Sequence, residues 1–356
     1  MMSEIAIYYD NIIICWSSIV ICAGIIIGSL LGMTFFTARN KYSFAGWLYI
    51  PLSTCASLYL SRIIHWYCHM EQYDDFKTAI TRFDTGDYCM LGVLISTWIV
   101  AALMCLTHMV SNKYKILDAF APGFAFIIGI IRLSSMYNSS CRGKILVNNP
   151  ALQHLPIADG IPDASGNIQF RLATYFLSFI AMLVITIVVT IFSIITYKRK
   201  YKKYRVINSS SKSDHISSKG HIYRMFLLLY SGAEIVIDST RYDASHLYFS
   251  GEKLASLNKG ASFMGLSQFA GALCLIYLFV YYIVCSIKAN GKSLKHFALI
   301  GVYIIGFVIA GLSEYLVQRY GSMYVTYYST QIFGVIIVVA TTFIAYRTCI
   351  LLPNKE

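Results

Sequence analysis

Apolar runs of about twenty residues recur along the chain, separated by short polar connections. A helix of that length matches the hydrocarbon thickness of a bilayer. Segments 11–36, 45–65, 88–109, 117–136, 172–196, 221–238, 262–286, 297–316 and 328–346 therefore read as membrane spans. Nine is the count this pattern gives, with eight as its rival. The most polar segment is 221–238, which ends in Glu234 and Asp238. The expected fold class is all-α, a polytopic integral membrane protein of about nine transmembrane helices. Asn11–Phe36 reads as a retained helix, because Met1–Asp10 carries Glu4 and Asp10 and no basic start.

The polar connections suggest an orientation. With the N-terminus outside, the inward loops hold Arg39 and Lys41, then Lys113 and Lys115, then the run Lys198–Arg205 with Lys212 and Lys219. Lys288, Lys292 and Lys295 fill the next inward loop, and Arg347 and Lys355 follow the last span. The outward loops collect Glu71, Asp74, Asp75, Asp84, Asp159 and Asp163. A Lys/Arg excess on each inward segment is what the positive-inside rule expects, so the N-terminus is placed out and the C-terminus in.

Composition agrees with the pattern. The 356 residues are 57% hydrophobic and only 13% charged, about half the charge of a typical soluble domain. The formal charge of +12 is poorly read as nucleic-acid binding, because the densest basic run is one that a membrane protein holds against an anionic inner leaflet. None of the ten cysteines forms a CxxC pair, so no metal site or cofactor is expected, and most read as small hydrophobes within apolar stretches. Cys68 and Cys141 fall in loops on the same expected side and are a candidate bridge.

Against this background the ionisable residues inside spans carry functional weight, since charge near hydrocarbon is costly. Arg132 lies near the outer end of the fourth span, Glu234 and Asp238 lie in the sixth, and Arg241 follows just beyond. Arg62 and His65 close the second span, where a long cation can simply snorkel to the interface. Residues 64–87 form an aromatic and acidic outer loop. Residues 137–171, punctuated by Pro150, Pro156, Pro162, Gly143, Gly160 and Gly166, read as a small folded outer head. Residues 206–220, rich in Ser and Lys, read as a flexible cytoplasmic connection.

The stretch Gly129-Ile-Ile-Arg132-Leu-Ser-Ser135-Met-Tyr-Asn138-Ser-Ser140-Cys-Arg-Gly143 resembles the signature of bacterial prolipoprotein diacylglyceryl transferases. That signature is an Arg followed by Asn at +3 and +6, Glu at +8 and Gly at +11. Arg132, Asn138 and Gly143 match, while Ser135 and Ser140 replace the first Asn and the Glu. The run Tyr230-Ser-Gly-Ala-Glu234-Ile-Val-Ile-Asp238-Ser-Thr-Arg241 is similar to the family's sixth-helix segment. Tyr230 and Arg241 match, Asp238 stands for a Glu, and Glu234 reverses the charge of an essential Arg. Ala261–Gln268 more loosely resembles the start of the family's seventh helix and offers Gln268. Met90, between Gly86 and Gly92, occupies the position of the family's essential His.

The resemblance covers about residues 8–287 and implies a seven-helix transferase-like core over 1–287, with two further helices and a short tail in 288–356. It implies a bacterial plasma-membrane enzyme that moves the diacylglyceryl unit of phosphatidylglycerol, or a similar anionic phospholipid, onto the cysteine thiol of a lipoprotein precursor peptide. Another thiol or alcohol acceptor stays open, as does a partner protein bound through the last two helices. In the expected site, Arg132, Glu234 and Asp238 are catalytic: Arg132 grips the phosphate bidentately, and Glu234, Asp238 or Asp87 takes the thiol proton. Asn138, Gly143, Ser135, Tyr230, Arg241 and Gln268 bind substrate, with Arg241 either a second phosphate contact or a partner for Asp238. The alternative is a non-catalytic lipid- or lipopeptide-binding descendant, suggested by Met90 and Glu234.

Overall fold

The computed structural model describes residues 5–9, 12–38, 44–70, 73, 75–81, 88–137, 142–146, 153–162, 166–207, 220–241, 265–291, 293–320 and 325–351. Among them the protein is helical apart from two hairpins, β1 (Ile5–Tyr9) with β2 (Ile12–Cys15) and β3 (Ala158–Pro162) with β4 (Ile168–Leu172). The helices are α1 (Trp16–Thr37), α2 (Phe44–Cys68), α3 (Phe76–Thr81), α4 (Met90–Leu106) and α5 (Lys113–Ser134). They continue with α6 (Thr174–Ile207), α7 (His221–Thr240), α8 (Leu266–Asn290), α9 (Leu294–Tyr320) and α10 (Val325–Leu351).

Among the described residues six helices are long and apolar enough to cross a membrane: α1, α5, α6, α8, α9 and α10. The chain is a multi-pass membrane protein. The other three expected spans also form helices, but α4 has only 17 residues, and α2 and α7 carry more polar side chains. The first span begins later than the apolar run does. Ile12, Ile13 and Ile14 are β-branched, favour extended backbone, and pair with Ile7, Tyr8 and Tyr9, so the helix starts at Trp16.

The chain divides into two compact units, Met1–Ser140 with Ser178–Phe226, and Cys141–Leu177 with Leu227–Glu356. In the first unit α1 packs along α5, and α2 along α4. Small residues set the first of these contacts: a Cβ on Gly123 would lie 2.2 Å from the Gly28 carbonyl oxygen, so the backbones touch. An aromatic cluster of Phe36, Tyr49, Phe120, Phe124 and Phe226 fills the core, with Tyr49 and Phe120 centroids 5.1 Å apart. Asp118, buried on α5, caps the start of α7. It accepts from the amides of Gly220, Ile222 and Tyr223 at 3.1, 3.1 and 2.9 Å, satisfying donors that a helix N-terminus leaves unpaired.

In the second unit α10 packs against both α8 and α9. Gly306 and Gly334 bring α9 and α10 to backbone distance, a Cβ on Gly334 falling 2.7 Å from the Ala310 nitrogen. Residues 143–146 run alongside β4 of the β3–β4 hairpin: Gly143 and Leu146 donate to the Leu172 and Phe170 carbonyls at 2.8 and 2.9 Å. Arg142 forms an ion pair with Asp159 of β3, and its guanidinium lies 4.8 Å from the Tyr175 ring centroid.

Candidate functional site

Arg132 lies in the last turn of α5 and is 5% exposed. The helix that carries it starts cleanly, because the Asn112 side chain caps it by accepting from the Tyr114 amide at 2.9 Å. Near its other end Gly129 lets α6 approach; a Cβ there would sit 3.0 Å from Met182 Cβ. Ser135 is buried in the 3-10 turn Ser135–Tyr137 that continues α5. Arg132 and Ser135 belong to the first unit. Asn138 lies outside the described residues, as do Asp87, Ser140 and Cys141.

The remaining expected site residues belong to the second unit. Tyr230, Glu234 and Asp238 recur every four residues on α7, a spacing that stacks them along one helix face, and all three are buried. The α7 stripe ends at Arg241, whose Nη1 donates to Asp238 Oδ1 at 3.1 Å. Asp238 is 2% exposed, and its second oxygen has no hydrogen-bond partner among the described residues.

The ends of the two motifs meet. Gly143 and Arg241, 98 positions apart by number (241 − 143), form an antiparallel bridge. Next to it the Lys144 amide donates to the Thr240 carbonyl at 3.0 Å, and the hydroxyls of Thr174 and Thr240 lie 3.1 Å apart. Glycine is required at 143 by closeness: a Cβ would lie 2.5 Å from Thr174 Oγ1 and 2.8 Å from the Leu172 carbonyl oxygen. Gln268 is also fixed, its Oε1 accepting from the Gly265 amide at 2.9 Å and its Nε2 donating to the Ile235 carbonyl at 3.0 Å. Gln268 thereby ties the start of α8 to the middle of α7.

Two residues here were not anticipated from the sequence. Lys144, directly after the first motif, is buried, and its ammonium donates to the Val317 carbonyl at 3.3 Å and to Gln318 Oε1 at 3.2 Å. Burial pushes the Lys144 amine below its ordinary value, and the charge of Glu314 opposes that shift. Glu314, 3% exposed on α9, is the other. Its signal was present in the sequence as a single carboxyl group inside the apolar run 297–316, the same feature that singled out Glu234.

Arg62 is buried rather than snorkelled. It is 1% exposed, its Nε donates to the Ala79 carbonyl of α3 at 2.9 Å, and it lies 5.8 and 5.6 Å from the ring centroids of Tyr73 and Tyr88. Met90 is buried as the first residue of α4, a side chain with no proton to exchange. Among the described residues no group of three His, Cys, Asp or Glu side chains is arranged to hold a metal ion. The first unit therefore offers buried guanidinium groups and no imidazole at the first turn of α4, and the second unit offers buried carboxylates. Neither a scan against protein-family models nor a search of curated proteins finds a match to the chain.

Proposed function

We propose that this protein is a divergent prolipoprotein diacylglyceryl transferase, moving the diacylglyceryl unit of phosphatidylglycerol to a cysteine thiol at the outer membrane face. The observation that carries the reading is the pairing of Gly143 with Arg241, beside the Asp238–Arg241 ion pair. Those residues are the last matched positions of two separate motifs, and unrelated matches have no reason to end on each other.

In this reading Arg132 holds the lipid phosphate, and stabilising the charge that grows on the leaving phosphate is the largest catalytic contribution. The acceptor sulfur forms a bond to the terminal glyceryl carbon as that carbon's bond to the phosphate oxygen breaks. Glycerol phosphate leaves with the electron pair, and the thiol proton passes to a carboxylate. Asp238 supports that last role, because its Oδ2 retains acceptor capacity among the described residues. Arg241, held by Asp238, orients that carboxylate. The competing reading, a lipid-binding protein without transfer activity, is favoured by one observation: the buried Met90 leaves the first turn of α4 without a proton-transfer group.

The test uses purified protein in phosphatidylglycerol nanodiscs with a cysteine-containing lipoprotein peptide, following glyceryl-labelled lipid into product. Wild type is expected to transfer label. Arg132→Ala should lower transfer by about two orders of magnitude with protein level unchanged, as loss of a charge-stabilising donor does. Lipid retention without product supports the binding reading, and absence of both overturns the family assignment.

A further inference from the structure

The second unit buries a carboxyl group that neither motif contains. Glu314 lies on α9 about a turn and a half before Tyr320, and its carboxyl group takes hydrogen bonds from the side chains of Gln318, Gln331 and Gln268, on three helices. Oε1 accepts from Gln318 Nε2 at 2.7 Å, and Oε2 from Gln331 Nε2 of α10 at 2.6 Å.

Both branches continue to the motifs. Gln318 Oε1 accepts from the Lys144 ammonium at 3.2 Å, and Ser239 Oγ shares its proton between the Val236 carbonyl at 2.6 Å and Gln331 Oε1 at 3.0 Å. Tyr328 of α10 adds a bond from its hydroxyl to the Ser239 carbonyl at 3.3 Å. Lys144 adjoins Gly143, Ser239 precedes Thr240, and the Lys144 amide closes the ring on the Thr240 carbonyl at 3.0 Å. The circuit Glu314–Gln318–Lys144–Thr240–Ser239–Gln331 is thus continuous, and it encloses the backbone next to the Gly143–Arg241 pair.

We infer that Glu314 is a positioning residue, through which α9 and α10 fix the pairing of Gly143 with Arg241 and so the anionic-lipid site. The reference to a lipid site rests on the function proposed above; the circuit does not. Ordinary glue between two membrane helices would need only the Glu314–Gln331 bond. The Lys144 branch has no part in joining α9 to α10, and it reaches the motif loop instead. A partly satisfied buried network is costly because each deserted donor keeps its desolvation penalty. Loss of the carboxylate is therefore expected to release Lys144 and Ser239 as well as the two glutamines.

The test is hydrogen exchange on the full chain in phosphatidylglycerol nanodiscs, together with the Kd for that lipid. In Glu314→Leu the Gly143 and Lys144 amides should exchange about tenfold faster, and the lipid Kd should rise about tenfold, on the scale of one lost hydrogen bond. The Asp118-capped amides of Ile222 and Tyr223 should be unchanged, and Glu314→Asp should recover part of both effects. Gln318→Leu and Gln331→Leu each cut one branch and serve if Glu314→Leu does not fold; each should accelerate Gly143 and Lys144 at least about threefold. Wild-type exchange at both amides in folded variants would overturn the inference. So would faster exchange with unchanged lipid affinity, which leaves Glu314 holding the loop without positioning a lipid site. Absence of lipid binding by wild type removes the lipid site, and exchange alone then judges the circuit.

Discussion

At the scale of the residue, the lesson lies in where charge is tolerated. Arg62 stands near the end of α2, where its stem could have carried the guanidinium to water. It is buried because α3 supplies a carbonyl, from Ala79, while Tyr73 and Tyr88 supply ring faces. A cation–π contact is strongest when the cation is desolvated, so α3 makes a favourable site out of an expensive position. The short α3 depends in turn on Asp75, which accepts from the Thr78 amide at 2.8 Å in the manner of an N-cap. Hydrogen bonds from the Thr78 side chain and backbone hold the Asp75 carboxyl below its ordinary value. A carboxyl lowered by folding stabilises the structure above its unfolded pKa, and that contribution disappears as pH falls through the folded one. Protection of the Thr78 amide, corrected for intrinsic exchange, is therefore expected to be constant near pH 6 and to fall below about pH 4. Asp75→Asn should keep the cap and abolish the pH dependence. Protection that does not change with pH in wild type would show that the cap is unimportant to α3.

At the scale of the element, glycines separate contact faces from lipid faces. Gly123 touches the Gly28 carbonyl oxygen across the α1–α5 contact, whereas a Cβ on Gly301 of α9 would meet nothing within 4 Å. Gly123→Ala must push two packed helices apart and is expected to destabilise by about 1–3 kcal/mol, the range for overpacking. Gly301→Ala carries only the helix-propensity gain, up to about 1 kcal/mol. Thermal unfolding in one detergent should move the two midpoints in opposite directions; a loss at Gly301 would mean that something covers that face of α9.

The helices themselves were legible, because a run of about twenty apolar residues has few other uses. Each of the nine apolar segments overlaps a helix, and 297–316 falls inside Leu294–Tyr320. The hairpin β1–β2 was not legible, since Ile12–Ile14 is as apolar as the helix it precedes. Nor was α3, whose polar sequence carries no membrane signal and whose role is set by Arg62. Of the site, the two motifs were legible locally, and their meeting at Gly143 and Arg241 is a tertiary fact that no spacing reveals. The Lys144–Gln318 bond joins positions 174 apart. Only the lone carboxyl of Glu314 within an apolar run hinted at it.

At the scale of the molecule, labelling tests how many of the long helices among the described residues cross, and in which direction. The six apolar helices are the secure ones. The informative case is α2 and α4, because 17 helical residues in α4 span only about 25 Å, less than a typical hydrocarbon core of about 30 Å. If this pair crosses, the loop that joins it faces outward, and its acidic character fits that side. If the pair only dips into the membrane, the loop shares a face with Arg39 and Lys41, which the positive-inside rule places in the cytoplasm. Lys77 on α3 and Lys288 near the end of α8 are both exposed and sit on loops or helix ends of opposite expected side. In a background with the native cysteines removed, Lys77→Cys should react with a membrane-impermeant maleimide on intact cells. Lys288→Cys should react only after permeabilisation. Labelling of both from outside would reverse the charge-based orientation of the C-terminal half. Protection of Lys77→Cys until permeabilisation would show that α2 and α4 return without crossing, which would put the Arg62–Tyr73–Tyr88 cluster on the cytoplasmic side and remove it from any chemistry at the outer leaflet.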